Sequence, residues 1–156
     1  MSRAGEVLKP CSREQRARSG EKLVKKSSQF SDGLLELLHK SMGLRIRAGS
    51  AGHRFIGIWH VVVKDRVFVR SWSVQENGWY RTFLTDPHGA IPVKKLEAAV
   101  VARRALGKAL RDAIDRAYLA KYKAPGALKY AKDLCSAKSR ATTMELVLGA
   151  PRRARR

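Results

Sequence analysis

Apolar and polar positions change rhythm several times along this chain, and each change marks an element. Residues 1–29 are polar and charged without period, which predicts a flexible arm. Ser31 or Asp32 can cap a helix that Leu34, Leu35, Leu37 and Leu38 make amphipathic to about His39, and Gly43 closes it. Leu44 and Ile46 then alternate with Arg45 and Arg47, the pattern of a half-buried strand over 44–48. After a Gly/Ser loop at 49–52, residues 55–63 are almost continuously apolar and β-prone, so both faces of that strand should be covered. Lys64, Asp65 and Arg66 form a tight turn, and residues 67–73 return as the second strand of a long hairpin.

Beyond a turn at 75–78, residues 79–84 read as one or two helical turns. Their spacing lets Trp79 meet Phe83 and Tyr80 meet Leu84. Asp86, Pro87, His88 and Gly89 end that element. Residues 90–93 and 96–103 suggest strands. From Gly107 the period becomes helical, with Leu106, Leu110, Ile114, Ala117 and Tyr118 on one side. Residues 123–126 break the helix, 127–135 form another, and 142–148 alternate as a last strand. Adjacent antiparallel strands with helices set aside predict an α+β fold, a small antiparallel split β-barrel with flanking helices. The arm (1–29) precedes the barrel domain (30–149), and an Arg-rich tail (150–156) follows it.

Charge alters this picture. There are 33 Lys and Arg against 13 Asp and Glu, a net +20, much of it in the arm and tail. Such a surplus favours polyanionic partners, and basic tails can add non-specific affinity for phosphate backbones. Cys11 and Cys135 are too few and too far apart for a disulfide framework, a zinc ribbon or a redox pair. No run approaches the ~18 apolar residues of a membrane span, and the N-terminus lacks a secretory core, so a cytoplasmic location is expected.

Candidate chemistry centres on the hairpin. Alternation puts Phe68, Arg70 and Trp72 on one side of the returning strand. A guanidinium between two aromatic rings can hold a phosphate or carboxylate, while Trp72 or Trp79 stacks on a flat ring. The alternative is an arginine on a solvated face, its stem covering apolar rings. Trp59, Trp72 and Trp79 beside Arg and Lys can line a cleft, stack on bases, or be core. His39, His53, His60 and His88 lack metal-ligand spacing; His60, inside an apolar strand, reads as a satisfied core or barrel-lining residue. Asp112 and Asp115, with Arg111 and Arg116 nearby, read as a solvated ion-pair face. The loop at 49–52 before His53 and Arg54 reads as a connector, with anion binding through its N–H groups the alternative.

The run Ile58, Trp59, His60, Val61, Val62, Val63, then Val67, Phe68, Val69, Arg70, Ser71, Trp72, followed by Gly78, Trp79, Tyr80, Arg81, resembles an uncharacterised bacterial family, domain of unknown function 2255. The helix end at Ala117–Tyr122 and the strand at 142–148 are also similar, so the resemblance covers about 31–149. That family is similar to the flavin-binding split barrels, among them pyridoxamine-phosphate-oxidase-like proteins and deazaflavin-dependent nitroreductases. The resemblance implies a six-stranded barrel, a homodimer, FMN or deazaflavin as cofactor, and oxidoreductase-like activity. It implies Arg70, Ser71 and Trp72 as cofactor-binding residues, followed by Trp79, Tyr80 and Arg81. The family's longer glycine-rich phosphate loop is not evident here. The competing reading, from charge, is a non-enzymatic module binding nucleic acid or a ribonucleoprotein.

Overall fold

The structure, a computed structural model, describes residues 30–51 and 54–149. The arm, the Arg-rich tail, Cys11 and His53 lie outside the described residues. Helix α1 (Asp32–Lys40) opens on Ser31, whose Oγ accepts from the Leu34 N–H at 3.2 Å. Strands β1 (Leu44–Ala48), β2 (Ile56–Ile58), β3 (His60–Val63) and β4 (Arg66–Val69) follow. Helix α2 (Trp79–Thr85) precedes β5 (His88–Val93) and β6 (Leu96–Arg104). Helices α3 (Lys108–Lys121), α4 (Pro125–Leu134) and α5 (Ala137–Arg140) lead to β7 (Met144–Leu148). The α+β class holds.

All pairings are antiparallel, in the order β2-β1-β5-β6-β7-β4-β3. The two ends of that order, β2 and β3, are joined through Trp59 alone, so the sheet bends back into a nearly closed barrel. This corrects the expectation of one strand over 55–63. The stretch pairs first with β1 (Ile58 opposite Leu44) and then with β4 (His60 opposite Val69), and it bends at Trp59 where it changes partner. The β3–β4 turn needs only two residues, Lys64 at φ 52° and Asp65 at φ 63°. Both central residues left-handed is the turn whose twist matches the strands it joins.

Two apolar layers explain the valine-rich hairpin. Ile46, Val67, Val69, Ile91, Val100, Met144 and Leu146 fill the barrel, closed over by Leu35 and Leu38 of α1 and Tyr80 and Phe83 of α2. Val61 and Phe68 point outward into a second cluster with Ile114 and Tyr118 of α3 and Ala131 and Leu134 of α4. Strands β3 and β4 are therefore covered on both faces, as their unbroken apolar sequence requires. The return strand stops at Val69 rather than at residue 73. Beyond it the Ser71 N–H donates to Thr142 Oγ1 at 2.8 Å, so a side chain takes over from the ladder. Helix α5 has no apolar period in the sequence to announce it; Ser136 caps this single turn, and Ser139 is buried. Leu106, expected on the apolar side of the long helix, precedes α3 and is exposed.

Candidate functional site

The predicted site residues separate into two places. Arg70 is 1% exposed, and its guanidinium is held from four sides. Nε donates to Thr143 Oγ1 at 2.8 Å, Nη2 to the Arg111 carbonyl at 3.0 Å, and Nη1 to the Leu134 carbonyl at 3.0 Å and to the Asp115 carboxylate. The carbon between those nitrogens lies 5.7 Å from the centre of the Tyr118 ring. Phe68, Arg70 and Trp72 do share a side, toward α3 and α4, but at Phe68 and Arg70 that side is roofed by helices, and only Trp72, at the edge of the roof, meets solvent. Four of the five guanidinium N–H groups thus serve protein acceptors. Asp115 is paired with Arg70 and Arg140, and Asp112 with Lys108 and Arg140, so the expected partners Arg111 and Arg116 are not the ones used. Lys108 and Arg140 hold the Asp112 carboxyl below the usual carboxylate range. Ser71 is buried and exchanges hydrogen bonds with the Ser73 backbone. Trp72 reaches the surface, donating its indole N–H to the Tyr130 carbonyl at 3.3 Å.

Trp79 belongs elsewhere, with the barrel core. Its ring meets Tyr80 at 6.3 Å and Phe83 at 6.0 Å, both edge-on. Its other side faces a groove of about 430 Å³ lined by Ala48, Arg54, Ile56, Glu76, Asn77 and Thr82. The end of β1, the entry to β2, the turn before α2 and the first turn of α2 build this groove. Gly49, at φ 82°, lets the chain leave β1 close against α2; a Cβ there would lie 2.9 Å from Thr82 Cγ2. The Ser50 N–H donates to Asp86 Oδ2 at 2.8 Å, tying the chain just after β1 to the end of α2. Nearby, Arg45 and Arg47 both lie over the Phe55 ring, at 5.6 and 4.7 Å, and Arg47 pairs with Glu97 at 2.5 Å.

The groove therefore combines a flat indole wall, an exposed guanidinium, an amide and one carboxylate, Glu76, a lining that suits a planar ligand whose anionic group meets Arg54 and whose ring edge offers donors to Glu76. A second groove, about 450 Å³ between α1 and the β3–β4 turn, carries Asp32, Glu36 and Asp65 and has no Phe, Tyr or Trp on its wall. Its three carboxylates outweigh its one lysine, Lys64, whereas the groove beside Trp79 sets a single carboxylate, Glu76, against Arg54. Tyr80, on α2, is buried in the core, and Arg81 is exposed on the side of α2 away from Trp79. In the sequence pattern Arg54, Glu76 and Asn77 read only as loop and turn residues. The usable signal was that they flank Trp79 and the Gly49 turn.

A third arrangement concerns His60, which is fully buried. Its Nε2 lies 2.6 Å from the Leu38 carbonyl, which can only accept, so Nε2 carries the proton. Lys121 Nζ also donates to that carbonyl, at 3.1 Å. Nδ1 is left buried without a partner, so His60 is only half satisfied. Burial first, and the Lys121 charge second, lower the imidazole pKa to about 4. Burial likewise lowers that of Lys121 to about 8.

Residues 35–146 match the family described as "Uncharacterized protein conserved in bacteria" (DUF2255). The chain belongs to this family. No curated protein matches it. Among solved structures it is similar to the conserved hypothetical protein Rv2991 from Mycobacterium tuberculosis, at 10% identity and a TM-score of 0.49, covering 80% of this chain and 83% of that one. It is also similar to a FAD-binding protein (mll6688) from Mesorhizobium loti, at 12% identity and a TM-score of 0.43, covering 76% and 88%. No helix among the described residues is long and apolar enough to cross a membrane.

Proposed function

We propose that this protein is a flavin- or deazaflavin-binding barrel with an oxidoreductase-like role, and that the groove beside Trp79 holds the cofactor. The observation that carries this reading is that Trp79 and Arg54 face one groove of about 430 Å³. That size and lining suit a ring bearing a phosphate. The indole offers a flat apolar wall, and the edge-on rings of Tyr80 and Phe83 keep it from turning. The Arg54 guanidinium meets a phosphate in bidentate fashion, and the Asn77 amide offers both a donor and an acceptor to a ring edge. A bound flavin supplies hydride transfer; the chain supplies binding, orientation and charge. In this reading Arg70 and Ser71 hold the barrel to its helices, and Tyr80 positions Trp79.

The test is titration of the purified protein with FMN, riboflavin and a deazaflavin, read by tryptophan quenching, beside native mass spectrometry for bound cofactor and subunit count. Saturable quenching is expected, weakened at least about tenfold by Trp79→Ala. Arg54→Gln should weaken FMN and leave riboflavin, which has no phosphate, unchanged. Absence of quenching by all three compounds, or equal loss of FMN and riboflavin in Arg54→Gln, overturns the proposal.

A further inference from the structure

On the other side of β3 and β4, aromatic rings run from the core to the surface. Tyr118 and Tyr122, both buried, stack at 6.0 Å. Trp59 lies flat on Tyr122, with centroids 3.9 Å apart and planes 2° from parallel. Trp72 and Tyr130 stand across its outer end, at 5.2 Å and 67° and at 6.5 Å and 88°. Those last two rings are 6.4 Å apart at 86°. Four separate parts of the chain converge here: the β2–β3 joint, the segment after β4, the end of α3, and α4. Trp72 and Tyr130 remain 40% and 45% exposed.

These exposed rings do not serve to bury polar groups. The Trp72 N–H is bonded to the Tyr130 carbonyl, and the Tyr122 hydroxyl donates to the Met42 carbonyl at 2.8 Å. What reaches solvent is aromatic surface on a rigid base. Charge selects among ligands for it. The Lys129 ammonium already sits 5.0 Å from the Tyr130 centroid, so the position a cationic ligand would want is taken. The chain's +20 repels a second cation. Lys123 and Lys129 are exposed here, and a partner that carries both flat rings and negative charge satisfies both features.

We propose that Trp59, Trp72 and Tyr130 form a stacking platform for single-stranded nucleic acid, with bases on the exposed ring surface that Lys129 leaves open and the backbone drawn by Lys129 and the surrounding positive field. Recognition of this kind is tolerant of sequence, because every base has a π-face. The platform lies apart from the groove beside Trp79, so it stands or falls independently of cofactor binding.

The test is anisotropy of a labelled 15-nucleotide DNA and the same RNA on the full chain, at 50 and 200 mM salt, with a duplex of equal length for comparison. The single strands should bind more tightly than the duplex and quench tryptophan. Trp72→Ala with Tyr130→Ala should lower affinity about tenfold or more without changing the salt slope, since no cation is removed. Trp72→Phe with Tyr130→Phe should recover most of it, and circular dichroism controls for folding. Lys129→Gln should lessen the slope by about 0.7. No single-strand binding at 50 mM salt, or equal binding by the alanine pair, overturns the platform. So does sedimentation showing a dimer that the alanine pair converts to a monomer, since the rings would then belong to an interface between copies.

Discussion

The Arg70 guanidinium and the Asp115 carboxylate form an ion pair that joins the end of β4 to the middle of α3. The arginine side chain is wholly enclosed, and that of Asp115 is 19% exposed. With Thr143 and the carbonyls of Arg111 and Leu134, the same guanidinium gathers four chain segments. Removing it leaves the Asp115 carboxylate to Arg140 alone, at 3.4 Å, and takes a donor from Thr143 and from the Arg111 and Leu134 carbonyls. Arg70→Met should therefore cost about 3 kcal/mol in urea unfolding, the lower end for a broken buried pair, because Arg140 still faces the carboxylate. Asp115→Asn keeps a neutral acceptor for Nη1 and should cost less than half of that. A loss under about 1 kcal/mol for Arg70→Met would show that the pair contributes little net stability.

That pair also shows where sequence reasoning reached its limit. Alternation correctly set Phe68, Arg70 and Trp72 on one side, because side chains of an extended chain must alternate. Nothing in the spacing says that α3 and α4 lie over that side, since Asp115 and Leu134 come 45 and 64 residues later. The hairpin was legible because valines covered on both faces leave no polar positions. The bend at Trp59 was not, because a strand that trades β1 for β4 changes partner without changing composition. Trp79 was legible as an aromatic beside a turn. Arg54 was not, for its place in the groove depends on the route the chain takes between β1 and β2.

Stability should depend on pH through His60. An unfolded imidazole titrates near 6.5, whereas this one, in the folded protein, titrates near 4. Between those values the unfolded chain holds a proton that the folded one lacks, so stability falls as pH drops from 6.5 to 4 and is unaffected by this group above 6.5. The full effect is on the order of 3 kcal/mol. His60→Gln, which keeps a donor for the Leu38 carbonyl, should remove that part of the slope, judged against wild type so that the carboxylates cancel. Lys121→Met removes one cause of the shift and should make the slope shallower. Lys121 itself, lowered to about 8, adds a rise in stability from pH 8 toward 10.5, where only the unfolded amine stays protonated. Urea midpoints at pH 4.5, 5.5, 7 and 9 would check these signs, and parallel curves for wild type and His60→Gln would refute them.

Two glycines in the sheet should respond oppositely to alanine, and the contrast bears on the groove. Gly89 of β5 lies opposite Ala48, which lines the groove, and a Cβ there would sit 2.4 Å from the Arg47 carbonyl oxygen and 2.9 Å from the Phe83 ring. The backbone oxygen cannot yield without moving β1, and the Phe83 ring cannot yield without disturbing Trp79, against which it packs. Overpacking of this kind costs about 1–3 kcal/mol, and a backbone clash belongs at the upper end. Gly57 of β2 has nothing within 4 Å of its Cβ position. Gly57→Ala should stabilise by about 0.4–1 kcal/mol, because the unfolded chain loses freedom while the folded one loses no contact. Gly89→Ala should also weaken quenching by FMN, as β1 and Trp79 shift apart, whereas Gly57→Ala should leave it unchanged. Equal midpoints for the two variants would mean that β5 does not approach β1 and α2 as closely as described.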